Sequence, residues 1–127
     1  MRIVDANIIL RYLLADSEVL SEQAAQIIDD NQTDIPIEVL CEVVYVLEKV
    51  YKVDRKEICE ELTAFIDNSN TLVPYYNAVM SGLRFYAESK LDFVDSILAG
   101  YVRTENAEVF TFDKDLKKLI EQIENKD

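Results

Sequence analysis

A chain of 127 residues, half of them apolar, is long enough for one domain with a real core and too short for several. It has no histidine, which excludes a Ser-His-Asp triad, a Cys-His pair and any imidazole-bound zinc; the only two cysteines, Cys41 and Cys59, lack metal or redox spacing and read as buried free thiols. Twenty-five acids against 13 bases give a net charge of −12, the wrong sign for a basic nucleic-acid binder, so a polyanionic ligand would need a cation or a local basic patch to offset the field.

The chain opens on Ile3-Val4, whose β-branched side chains predict a short buried strand. Asp5 follows directly, and Asn7 is a candidate cap for a helix over about 7–15 carrying Ile8, Ile9, Tyr12 and Leu13. Asp16 or Ser17 can cap a second helix with Leu20, Ala24, Ile27 and Ile28 on one face. Ile35-Pro36 fits a second strand, with Pro36 as the first residue of a helix over about 37–51. That helix carries Leu40, Val44 and Leu47 as its main stripe, and Glu42 lies off it. Asp54, with Glu57 three residues on, makes a capping-box pattern for a fourth helix along Ile58, Leu62, Phe65 and Ile66. Thr71-Leu72-Val73-Pro74 reads as a third strand. Helices follow over about 76–89 and 92–105, then a fourth strand at Val109-Phe110-Thr111-Phe112. Asp113 follows that strand, and a charged last helix runs from Asp115 to Asn125.

Helices alternating with four short buried strands predict a single α/β domain over residues 1–127, a three-layer α/β/α arrangement around a short-stranded parallel sheet. No apolar run approaches the ~20 residues that span a bilayer, and no basic segment followed by a pure apolar stretch opens the chain. The expectation is a cytoplasmic protein with no membrane segment.

In a parallel sheet the carboxyl ends of the strands share one edge, where ligands bind. Asp5 and Asp113 stand at two such ends. Glu42, in the first turns of its helix, and Asp92 or Asp95, at the start of theirs, belong at the same edge. Taken singly, each of the aspartates also reads as a helix cap or a first-turn acid favoured by the helix dipole. Together they would repel unless a cation neutralised them. Oxygen donors without Cys or His select Mg²⁺ or Mn²⁺, and that arrangement suits metal-assisted phosphodiester hydrolysis.

The segments Ile3-Val4-Asp5-Ala6-Asn7-Ile8-Ile9-Leu10-Arg11, Pro36 through Glu48, Leu91-Asp92-Phe93-Val94-Asp95-Ser96-Ile97-Leu98-Ala99 and Val109-Phe110-Thr111-Phe112-Asp113-Lys114-Asp115-Leu116 resemble, in order and spacing, those of PIN domains, and within them VapC-type toxins. The resemblance spans nearly the whole chain. It implies a Mg²⁺- or Mn²⁺-dependent endoribonuclease, the toxin of a toxin–antitoxin pair. Its acidic quartet carries over to Asp5, Glu42, Asp95 and Asp113, with Asn7 and Thr111 as supporting polar positions and Asp92 at a less constant acidic one. It also implies a homodimer inhibited by an antitoxin. The residues add a physical hint: Ile8, Ile9, Leu10, Tyr12, Leu13 and Leu14 make a helix apolar on nearly all sides, more than one sheet face can cover. An acidic pocket would invite a basic, partly disordered antitoxin tail.

Two other readings compete. A binding module of the same fold without catalysis would suit the −12 charge, and it is distinguished by whether Arg11, Lys90 or Lys114 lies near the acids. A signalling receiver domain would need an acidic pair after its first strand and a phosphoacceptor Asp after its third; here Pro74-Tyr75 follows the third.

Overall fold

The computed structural model describes residues 1–126. Among the described residues seven helices accompany a short parallel sheet of two strands, the α/β class expected. The chain divides into two compact units, Met1–Pro74 and the residues from Tyr75 onward.

The first unit holds α1 (Ala6–Leu14), α2 (Glu18–Asp30), β1 (Thr33–Asp34), α3 (Ile37–Lys49), α4 (Arg55–Asn68) and β2 (Thr71–Leu72). β1 and β2 run parallel, with Thr33 opposite Thr71 and Asp34 opposite Leu72. Ile3 joins β1 through one parallel bridge to Asp34, so the first expected strand shrinks to a single pairing. The second strand lies at Thr33–Asp34 rather than Ile35-Pro36, because Pro36 has no N–H to give a ladder and instead precedes α3 as its N-cap. Ile9, Ile28, Ile35, Leu40, Ile58 and Leu62 are fully buried. Tyr12 packs on Phe65 with ring centroids 5.2 Å apart.

Periodicity placed every helix within about two residues but misjudged some faces. Leu20 and Ile27 of α2 are exposed although they share the expected stripe; Ala24 and Ile28 carry the burial. Asp54 caps α4 by position, but its side chain makes no capping bond, so the capping box does not form. Cys41 and Cys59 are thiols, not joined in a disulfide, and are only half-buried rather than buried. Among the tyrosines, Tyr86 is fully buried, whereas Tyr45, Tyr51, Tyr75 and Tyr76 lie open to solvent.

The second unit comprises α5 (Tyr76–Glu88), α6 (Phe93–Glu105) and α7 (Lys114–Asn125). α5 and α6 approach closely because Gly82 and Gly100 leave no side chain where the helices meet. Tyr86 meets Phe93 edge-on, with centroids 5.7 Å apart. Leu91, Ala99, Val102, Leu116 and Ile123 bury the inner face of α7. Asn106 ends α6 in the left-handed conformation, at φ 54°, which Asn tolerates better than most residues.

The fourth expected strand does not form. Residues 109–112 belong to no strand or helix, and Phe110 and Phe112 are 88% and 98% exposed. β-propensity alone does not make a strand when no ladder partner is presented. No helix among the described residues is long and apolar enough to cross a membrane.

Candidate functional site

Three of the candidate acids stand at helix starts. Asp5, not Asn7, is the N-cap of α1: Ile8 N–H donates to its Oδ1 at 3.1 Å. Asn7 lies one residue inside the helix and is exposed. The cap falls on Asp5 because Ala6 already has helical geometry. Asp92 caps α6 by accepting from Asp95 N–H at 3.0 Å, and Asp113 caps α7 by accepting from Leu116 N–H at 2.8 Å. Asp113 therefore follows a segment without regular secondary structure rather than a strand. Glu42 occupies the second turn of α3, exposed, on a helix that packs against α1. Asp5 and Glu42 come from the first unit; Asp92, Asp95 and Asp113 come from the second.

The acids of the second unit feel one another. Burial lifts the Asp95 carboxyl above its ordinary 3.8, and the negative charges of Asp92 and Asp113 raise it further, as does a side-chain hydrogen bond with Asp92. Each neighbour is in turn fixed by a short local bond. The fully buried Ser96 hydroxyl donates to the Asp92 carbonyl at 2.8 Å. Thr111 Oγ1 accepts from Asp113 N–H at 3.0 Å, which orients the residue that caps α7. Asp92, which the sequence leaves open between cap and ligand, is thus a cap and a direct partner of Asp95. Its signal was the three-residue spacing that puts an N-cap carboxylate against the N3 amide.

Among the described residues, no three or more of Cys, Asp and Glu are set to hold a metal ion as the side chains stand. The donor chemistry nonetheless fits a hard cation. The candidates offer only carboxylate oxygen, and the caps Asp5 and Asp113 each commit one oxygen to a backbone N–H. Burial is the larger cause of the Asp95 shift, and the remainder, the charges of Asp92 and Asp113, is repulsion of the kind a divalent cation relieves.

The other acids and bases near these segments are committed elsewhere. Asp34 Oδ2 accepts from Arg2 N–H at 3.1 Å and belongs to the sheet. Arg11 Nη1 binds both oxygens of Asp16, at 2.9 and 3.0 Å. Lys49 meets Glu48, not Glu42. Lys90 is exposed in the connection that leads into α6, and Lys114 is exposed as the first residue of α7.

The family profile of the PIN domain matches residues 2–121, which takes in all five carboxylates. No curated protein and no solved structure gives a significant match.

Proposed function

Because the chain belongs to the PIN-domain family, whose members are generally nucleases and typically use divalent metals, we propose that it is a Mg²⁺- or Mn²⁺-dependent endoribonuclease and the toxin of a toxin–antitoxin pair. The observation that carries the reading is the placing of Asp92 and Asp113 beside Asp95, whose carboxyl burial first and then those two charges leave harder to ionise than a solvated one. Asp5, Glu42, Asp95 and Asp113 would hold the cation. Its chemistry there is neutralisation of the scissile phosphate and activation of water. Asp92 orients Asp95 at the start of α6, and Thr111 orients Asp113. With no histidine to activate a ribose hydroxyl, direct attack by water fits best, leaving a 5′-phosphate and a 3′-hydroxyl.

Incubation with a pool of structured RNAs should give cleavage that needs Mn²⁺ or Mg²⁺, is abolished by EDTA and is lost in Asp5→Asn. Tight RNA or protein binding without metal-dependent cleavage would instead favour the binding-module reading, and failure to bind Mn²⁺ in a titration would remove the metal from it.

We further infer a homodimer restrained by a basic antitoxin. The support has moved from α1 to α2. Apart from the fully buried Ile9 and the exposed Asn7, the middle and end of α1 are half-buried, whereas Val19, Leu20 and Ile27 of α2 lie in solvent. Light scattering at tens of micromolar should report twice the chain mass of 14.6 kDa. A clean monomer at that concentration would end the dimer proposal.

A further inference from the structure

A nuclease with a net charge of −12 must still bring a polyanion to its acids. The charge is unevenly spread: residues 1–74 carry 15 acids and 6 bases, residues 75–127 carry 10 and 7. The second unit is therefore the less repulsive part of the chain, and it holds a cleft of about 330 Å³ lined by Ser89, Lys90, Leu91, Asp115, Lys118, Leu119 and Gln122. Its two cations come from different segments. Lys90 sits in the short connection between α5 and α6, two residues before the cap Asp92. Lys118 sits on α7, five residues after the cap Asp113. The lysines thus belong to the same two segments as the acids: Lys90 just before the start of α6, Lys118 in the second turn of α7.

We propose that this cleft is a subsite for a backbone phosphate of the RNA strand, with Lys90 and Lys118 as positioning residues beside the acids. The proposal rests on the nuclease reading. Neither lysine makes an ion pair among the described residues, so both ammonium groups are available. The connection that carries Lys90 is held in shape: Leu91 N–H donates to Ser89 Oγ at 3.2 Å, and Leu91 is buried in the core under α7. Lys118 is carried by a helix whose inner residues Leu116 and Ile123 are buried. The lysines are therefore set on fixed backbone rather than on a drifting loop. Asp115 lines the same cleft and subtracts one charge, leaving it net positive in a chain that is otherwise strongly acidic. Ser89 and Gln122 add uncharged polar groups that suit phosphate and ribose oxygens. Two ammonium groups in a cleft with no aromatic side chain in its lining fit a contact to phosphate.

The test is binding, measured apart from cleavage. Fluorescence anisotropy of a short labelled oligouridylate is followed in EDTA across a salt series for the wild type, for Lys90→Gln/Lys118→Gln and for a control, Lys52→Gln/Lys56→Gln, which removes the same charge from the first unit. The cleft variant should bind about tenfold more weakly at moderate salt and should lower the slope of log affinity against log salt by about 0.7, the value for one lost single-strand phosphate contact. The control should keep the wild-type slope. In Mn²⁺ the cleft variant should raise KM and leave kcat near wild type. Equal slopes for the cleft variant and the wild type, with the wild type binding RNA, would overturn the subsite and leave the nuclease reading intact. Equal losses in both variants would also overturn it, since net charge alone would then explain binding. A wild type that neither binds nor cleaves RNA would overturn both.

Discussion

Gly100→Ala should destabilise the protein by about 3 kcal/mol, although an alanine inside a helix normally gains about 1 kcal/mol over glycine. The sign reverses because of what the new methyl would meet. A Cβ at Gly100 would lie 2.2 Å from the Ala78 carbonyl oxygen and 3.1 Å from both the Ala78 carbonyl carbon and Gly82 N. All three are backbone atoms of α5, so no side chain can swing aside, and the helices must separate. At Gly82 the nearest atom is the end of the Ile97 side chain, at 2.6 Å, which can rotate; Gly82→Ala should cost less. For a chain of this size the Gly100 change corresponds to a fall in Tm of roughly 10 °C, read by circular dichroism. A Tm within about 2 °C of wild type would mean that α5 and α6 are not packed this tightly. The consequence extends to function, because α6 carries Asp95 and begins at Asp92. Moving it displaces two of the three crowded acids.

The helices were legible because apolar residues recur at helical spacing over a dozen residues, and that signal survives local errors. The sheet was not. Strands of two residues carry no usable alternation, so Thr33–Asp34 was hidden behind the more apolar Ile35-Pro36, and Ile3-Val4 was read as a strand where only one bridge exists. Val109-Phe110-Thr111-Phe112 has the composition of a buried strand, yet pairing depends on what another segment presents, which no local pattern states. The acids were legible as residue types at element ends. Which of Asp5 and Asn7 capped α1 was not, since both are good caps two residues apart. The bond between Asp92 and Asp95 is local and follows from their three-residue spacing, whereas the meeting of Lys90 with Lys118 across 28 positions of sequence required the packing of α7.

Asp95→Asn should separate the charge of the acid cluster from its role in the fold. Removing Asp95 is expected to lower metal-dependent cleavage by at least about 100-fold, since groups that only support metal ligands already cost 10–100-fold when lost. Stability should move the other way. The folded protein holds the Asp95 carboxyl above 3.8, so the unfolded chain gives up this proton more readily. Stability is therefore lost as pH rises from 3.8 through the folded value, and the loss persists at neutral pH. Asparagine has no proton to give up and escapes that loss. In EDTA at neutral pH its Tm should equal or exceed that of the wild type, although the first-turn charge it removes is itself worth about 0.3–1 kcal/mol to the α6 dipole. Below pH 3.8 both states of the wild type are protonated and this titration-linked advantage should disappear. Saturating Mn²⁺ should invert the order, because only the wild type gains about 2.7 kcal/mol at a hundredfold excess over Kd. Asp5→Asn and Asp113→Asn serve as companions: asparagine caps a helix about as well as aspartate, so α1 and α7 keep their starts while each site loses a charge. A variant that melts well below the wild type in EDTA marks its acid as structural and removes it from the quartet.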